Sequence, residues 1–210
     1  MNMRKFAGFV AVMIGLAAFA VSPAKASLIL SAEAVVANTP SSNNAFQILL
    51  TNTGAPIAIE SFAFLVSTTD LDITFSGADF ATTVPYILTG DSFDQSFGFT
   101  LNTLSPGQSM DGSDFSNSAS GPTIGTGVTV ALGRVLFNVA PNATPGSFSI
   151  NFSANGSSLS DGNNNIPIDT LTPGQITIAG TAPVPEPATA ALFGLALIGL
   201  GWKKRRSGRS

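Results

Sequence analysis

Residues 45–64 read Ala45-Phe46-Gln47-Ile48-Leu49-Leu50-Thr51-Asn52-Thr53-Gly54-Ala55-Pro56-Ile57-Ala58-Ile59-Glu60-Ser61-Phe62-Ala63-Phe64, and their apolar period is two. Phe46, Ile48 and Leu50 alternate with Ala45 and Gln47, which places them on one face of a pleated strand; a helix would need a period of 3.6. Asn52-Thr53-Gly54 then supplies turn chemistry, with an Asn side chain able to bond its own backbone and a Gly free of side-chain bulk. Ile57 and Ile59 resume in odd register, whereas Phe62, Phe64 and Val66 run in even register. A parity change within one strand takes an extra residue, so a bulge is predicted at Glu60-Ser61.

The same pattern extends in both directions. Val128, Val130 and Leu132 switch parity to Val135, Phe137 and Val139, with Gly133 at the join. Phe148, Ile150 and Phe152, then Ile176 and Ile178, supply late strands, and residues 69–75, 85–88 and 97–101 are further candidates. No stretch of residues 27–180 has a convincing helical face. The expected fold class is all-β, antiparallel, in a sandwich or barrel. Residues 105–127 are rich in Ser, Gly and Asp, with Met110, Phe115 and Ile124 scattered among them, and read as a surface excursion.

Charge is segregated along the chain. Of nine Lys and Arg, only Arg134 lies between Ser27 and Ala182, while eleven of the twelve acids lie there. That central region carries a net charge of −10, a field that repels phosphate backbones and excludes nucleic-acid binding. Arg134 is expected to pair with an acid on a neighbouring strand. Cysteine and histidine are absent, which removes disulfides, zinc ligation by thiolate or imidazole, and nucleophile–histidine catalysis. Twelve of the sixteen Phe fall in the central region, enough to build a core without staples. Tyr86 and these Phe residues are expected to pack the core rather than to form a sugar platform.

No catalytic residues and no cofactor are expected, with calcium the one candidate ion. Asp161, Asn163 and Asn165 place oxygen ligands at positions 1, 3 and 5 of a calcium loop. Ile166 stands where that loop has its sixth-position Gly, and Thr172 where it has its twelfth-position Glu. The same residues serve equally as an Asx-rich turn between strands. Asp91 with Asp94, and Asp70 with Asp72, are the carboxylate pairs that a glycoside-cleaving enzyme would require.

Both ends of the sequence carry targeting patterns. Arg4 and Lys5 precede the apolar residues 6–21, and Ala24-Lys25-Ala26 follows, with small residues at the two specificity positions of a signal peptidase. Cleavage is expected between Ala26 and Ser27. At the other end Val184-Pro185-Glu186-Pro187 opens an apolar run over residues 188–202, and Lys203-Lys204-Arg205-Arg206 closes it. Proline suits a helix start. At ~1.5 Å per residue this helix reaches only ~22 Å, against a hydrocarbon core of ~30 Å. The basic cluster stays on the cytoplasmic side by the positive-inside rule. The expected topology is a weak, short inner-membrane anchor with the preceding domain outside.

That order of Pro-Glu-Pro, short helix and basic cluster resembles the PEP-CTERM sorting domain of Gram-negative bacteria. The resemblance implies recognition by exosortase, a membrane transpeptidase that processes the signal near the Pro-Glu-Pro, and delivery to the cell surface or an exopolysaccharide matrix. Residues 46–64, with Leu132-Gly133-Arg134-Val135-Leu136-Phe137-Asn138-Val139, Pro145-Gly146-Ser147-Phe148 and residues 160–178, resemble the cohesin-like β-sandwich, a jelly roll of bacterial surface proteins. Three parts follow: a signal peptide at 1–26, a cohesin-like sandwich at 27–180, and a sorting signal at 181–210. The function expected is non-enzymatic, a binding or structural module associated with exopolysaccharide or a surface protein. The alternatives are a carboxylate-based polysaccharide-active enzyme and a calcium-stabilised structural module.

Overall fold

The computed structural model describes residues 25–93, the backbone of 98–101, and residues 107–180. Among these residues the strands are β1 (Leu28–Ala32), β2 (Val35–Asn38), β3 (Ser41–Asn52), β4 (Ile57–Ala58), β5 (Ser61–Ser67), β6 (Ile73–Asp79), β7 (Gly98–Leu101), β8 (Ser109–Phe115), β9 (Thr123–Ile124), β10 (Val128–Val139), β11 (Gly146–Phe152), β12 (Ser158–Ser160), β13 (Asn165–Ile166), β14 (Thr170–Thr172) and β15 (Gly174–Ala179). The helical element among them is one 3-10 turn, Ala154–Gly156.

The strands form two facing sheets. One runs β14-β1-β3-β10-β6. In the other β2, β15 and β11 lead to β5, whose edges also take β12 and β8, with β7 beyond β8. The period-two pattern dictates what lies between them. Leu28 and Leu30 on β1, Phe46, Ile48 and Leu50 on β3, Val135 and Phe137 on β10, and Phe64 and Val66 on β5 are all fully buried. Phe46 sits at the centre, its ring centroid 5.9 Å from that of Phe75 and 6.0 Å from that of Phe137.

Apart from the isolated parallel bridge of Tyr86 with Ala131, the pairing among the described residues is antiparallel with two exceptions, which join the first strands to the last. β1 lies parallel to β14 and β2 parallel to β15. One continuous stretch at each end of the domain therefore changes sheets in step with its partner. No local sequence period encodes that pairing.

Two expectations are corrected here. The parity change at Glu60-Ser61 is not a bulge inside one strand. The chain leaves β4, which pairs with β9 in a small two-stranded sheet of its own, and enters β5 in the larger of the two facing sheets, so the break between sheets resets the register. The bulge at Gly133 does form, as a register shift between Ala131 and Gly133 against β3. The expected excursion at 105–127 contains β8, a full partner of β5. Its inward residues are Met110, Gly112 and Asp114, and one large apolar side chain in three positions hides the alternation.

Candidate functional site

β6 ends at Asp79, and the chain then crosses the outside of the β3–β10 pair before rejoining the sheet. Two polar anchors hold this crossing. Arg134 donates from Nε to Asp79 Oδ1 at 2.9 Å and from Nη2 to Asp79 Oδ2 at 2.7 Å, the expected strand-to-strand ion pair. Gln47, buried beneath the crossing, donates Nε2 to Thr83 Oγ1 (2.7 Å) and Glu33 Oε2 (3.1 Å). Its Oε1 accepts the backbone N–H groups of Thr83 (2.7 Å) and Val84 (3.0 Å). The backbone of Pro85 and Ile87 then bonds to Ala131 at 2.9 Å on either side, extending the β10 edge where β6 has left it.

The returning segment frames an apolar cavity of about 490 Å³, lined by Phe80, Pro85, Tyr86, Leu88 and Ser92 among others. Tyr86 forms its inner wall, with the ring edge-on to Phe62 and 5.8 Å from Phe80. Its hydroxyl donates to Asp114 Oδ2, while Asp114 Oδ1 accepts the Phe115 N–H at 2.7 Å. Burial pushes the Tyr86 phenol far above its ordinary value, and the bond to Asp114 pushes in the same direction. Asp91, beside the cavity, accepts the hydroxyls of Ser116 and Ser118, which hold its carboxyl below the usual range. These carboxylates anchor local structure through donors of the chain itself.

A second surface is the outer face of β5 and β8. Ser61, Ala63, Leu65 and Ser67 alternate outward beside Ser109, Asp111, Ser113 and Phe115, mostly small side chains, with the Ala154–Gly156 turn lying against Leu65. Phe93 stacks on Phe115 at its rim with centroids 4.5 Å apart, the two residues 52% and 46% exposed. A sheet face of small residues with an aromatic rim suits contact with another macromolecule better than enclosure of a small substrate.

Asp161 and Asn163 lie in the β12–β13 connection, and Asn165 is the first residue of β13, paired with Ser160. Asp161 Oδ1 accepts the backbone N–H groups of Asn163 (2.9 Å) and Asn164 (2.7 Å), an Asx turn that holds the carboxyl below its usual range. Gly162 occupies the left-handed region (φ +88°) with the Glu60 carboxylate against it. Among the described residues no group of three or more acids is placed to hold a metal ion. Asp70 Oδ1 accepts the Asp72 N–H at 2.8 Å and Asp72 Oδ2 the Thr144 N–H at 3.2 Å, so this pair organises turns. Asp94 lies outside the described residues, as do Ala24, the motif Val184, Pro185, Glu186 and Pro187, and the cluster Lys203, Lys204, Arg205 and Arg206. Ala26 and Ser27 are described and continue the line of β1.

Three polar residues organise these surfaces in ways the sequence reading did not give: Asn52 was read as turn chemistry without its burial, and Asp114 and Gln47 without their anchoring roles. Asn52 continues the even-register face of Phe46, Ile48 and Leu50, and Asp114 that of Met110; a polar residue at an inward parity position is the legible signal. Gln47 has no such signal, because it points outward and is buried only by the 80–85 crossing.

Residues 183–206 match the PEP-CTERM protein-sorting motif. No curated protein sequence matches the chain. Among solved structures, the seventh ScaB type I cohesin from Pseudobacteroides cellulosolvens is similar at a TM-score of 0.54 and 13% identity, covering 76% of this chain and 97% of the other. A chain of a type I cohesin–dockerin complex from Clostridium thermocellum has a TM-score of 0.55 at 14% identity, covering 75% and 96%. The non-cellulosomal cohesin of the archaeon Archaeoglobus fulgidus has a TM-score of 0.52 at 15% identity, covering 73% and 91%. A PEP-CTERM motif marks a chain for export and for membrane anchoring through its C-terminal region. Residues 183–206 therefore carry the PEP-CTERM sorting motif, and the β-sandwich ahead of them has the cohesin fold.

Proposed function

We propose that this chain is an exported, exosortase-processed protein whose β-sandwich is a non-enzymatic binding module at the cell surface or in the extracellular matrix. The signal peptide at 1–26 directs export, and the span at 188–202 holds the sandwich outside the inner membrane until exosortase acts near Pro185-Glu186-Pro187. The sandwich then binds a protein partner in a dockerin-like manner, or associates with the producer's exopolysaccharide. The observation that carries this reading is the joining of a sorting motif to a cohesin-fold domain in one chain. The outer face of β5 and β8, with Phe93 and Phe115 at its rim, is the contact surface it favours.

The test compares wild-type cells with cells lacking exosortase. Mass spectrometry of the surface fraction should find a mature chain that has lost Lys203-Lys204-Arg205-Arg206, and that form should vanish in the mutant, where the chain stays in the inner membrane. An intact basic cluster on the surface protein would overturn the processing step. Pull-down with the purified mature domain should recover an envelope protein or the polysaccharide, and recovery should fall at least tenfold with Phe115→Ala. Failure to recover either would remove the binding role.

A further inference from the structure

The bond expected to be cut by signal peptidase lies inside the folded domain. Residues 25–27 extend β1 and pair with the turn that ends β3. The Ser27 carbonyl accepts the Thr53 N–H at 2.8 Å and the Thr53 hydroxyl at 3.2 Å, and the Lys25 carbonyl accepts the Ala55 N–H at 3.1 Å. Between these bonds the Ala26–Ser27 peptide lies flat on Gly54. A methyl group added there would overlap the Lys25 carbonyl oxygen and the Ser27 nitrogen, and would come within 2.7 Å of the Ala26 carbonyl carbon. Gly is required at residue 54 by this close approach.

The next residue is held more firmly. Leu28 is fully buried, its N–H donates to Asp169 Oδ2 at 2.8 Å, and its carbonyl accepts the Asp169 N–H at 3.0 Å. The turn itself is rigid. Asn52, fully buried, donates Nδ2 to the carbonyls of Ala55 (2.8 Å) and Ile124 (3.1 Å) and accepts the Gly54 N–H at Oδ1 (2.9 Å).

Proteases bind their substrates as extended strands whose backbone groups pair with the enzyme. In this fold those groups, on both sides of the Ala26–Ser27 bond, are already paired with residues 53, 55 and 169. We infer that the fold imposes an order on maturation: the Ala26–Ser27 bond is cut before the Asn52–Ala55 turn closes on residues 25–27, and a precursor that folds first is trapped uncut. This rests on the export reading above and on cleavage before Ser27. The Asn52-Thr53-Gly54 turn thus acts as a latch on the processing site.

The experiment uses the full-length precursor in detergent micelles with purified signal peptidase. One sample is refolded, and the other is added from urea at a final concentration the enzyme tolerates. Cleavage is followed by N-terminal sequencing. The unfolded precursor should yield Ser27 as its new N-terminus, and the folded one should be cut at least about a hundredfold more slowly, since cleavage requires local opening of the paired segment. Gly54→Ala, with folding checked by circular dichroism, should displace residues 25–27 and recover at least tenfold of the lost rate. Equal rates for the folded and unfolded wild-type chains would overturn the inference, whatever the variant does. Cleavage of the unfolded chain at a bond other than Ala26–Ser27 would instead overturn the site reading beneath it.

Discussion

Asn52→Ala should destabilise the mature domain by about 3 kcal/mol, far more than its size suggests. Asn52 is fully buried and its side chain makes three hydrogen bonds: to Ala55 O at 2.8 Å, to Ile124 O at 3.1 Å, and from Gly54 N at 2.9 Å. Each such bond contributes about 1 kcal/mol net, and removing the side chain leaves its partners short of a bond in a dry site. Asn52→Leu separates hydrogen bonding from packing. It restores most of the volume and none of the bonds, so it should remain at least about 2 kcal/mol below wild type. Asn52→Asp should be worse than either, because it sets a charge against two carbonyl oxygens. The assay is urea unfolding of the secreted form, followed by far-ultraviolet circular dichroism because the one Trp of the chain is Trp202. With a urea m-value of about 2 kcal/mol/M, a 3 kcal/mol loss moves the midpoint by about 1.5 M. A loss below about 1 kcal/mol for Asn52→Ala, or full recovery with Asn52→Leu, would refute the assignment of the turn to hydrogen bonding.

Three further outcomes are expected. Gln47→Leu should free the 80–85 crossing while leaving the core intact, so amide exchange at Thr83 and Val84 should accelerate at least tenfold with a small change in melting temperature; unchanged exchange would place the anchor elsewhere. Tyr86 has a folded-state pKa raised above its ordinary 10.0, so its contribution is complete below pH 10 and is lost as the pH rises beyond it. Tyr86→Phe should flatten that alkaline decline in a pH series of melting curves, and an unaltered decline would exclude the phenol as its source. At Asp79, burial raises the pKa but the hydrogen bonds from Arg134 and Ala81 lower it further, so the net folded value is below 3.8. This stabilisation is present above pH 3.8 and disappears as the pH falls through the depressed value. Arg134→Met should remove it, costing about 0.5 kcal/mol at neutral pH for a pair still one-third exposed and progressively less as the pH falls through the depressed value, as read by urea midpoints.

The sequence disclosed the class of fold because the core writes itself in alternation. Phe46, Ile48 and Leu50, with Val135, Phe137 and Val139, are buried at the positions their parity assigns. It disclosed β8 poorly, since Met110, Gly112 and Asp114 occupy inward positions with one large apolar side chain between them. It placed a bulge at Glu60-Ser61 because parity records that a register is reset and is silent on whether the chain bends or changes sheets. The parallel pairings of β1 with β14 and of β2 with β15 join residues about 140 positions apart, and no periodicity reports a partner at that distance. The sorting motif at 183–206 was legible for a different reason: it is a linear pattern in which composition, length and order carry the information without a fold.

Those long-range pairings bear on how the two ends work together. β1 and β2 run the same way as β14 and β15, with Ile29 opposite Thr170 and Asn38 opposite Ala179. The chain therefore enters the sandwich at one pole and leaves it at the other. Ten residues of strand at about 3.3 Å each put these poles about 30 Å apart. By the antiparallel register of β11 with β15 and of β5 with β11 and β12, Ser61, Phe115 and Ser160 also lie toward the pole where the chain enters. A precursor that kept both apolar ends in one membrane would have to hold both poles against it, laying the sandwich on its side. If residues 1–26 are removed as proposed, the pole that carries Phe115 is freed while the motif at 183–206 follows the other pole. The latch proposed at Gly54 would make the order of these events matter: under that reading a domain folded around its uncut signal stays tethered at both poles, with the Phe115 rim at one of them.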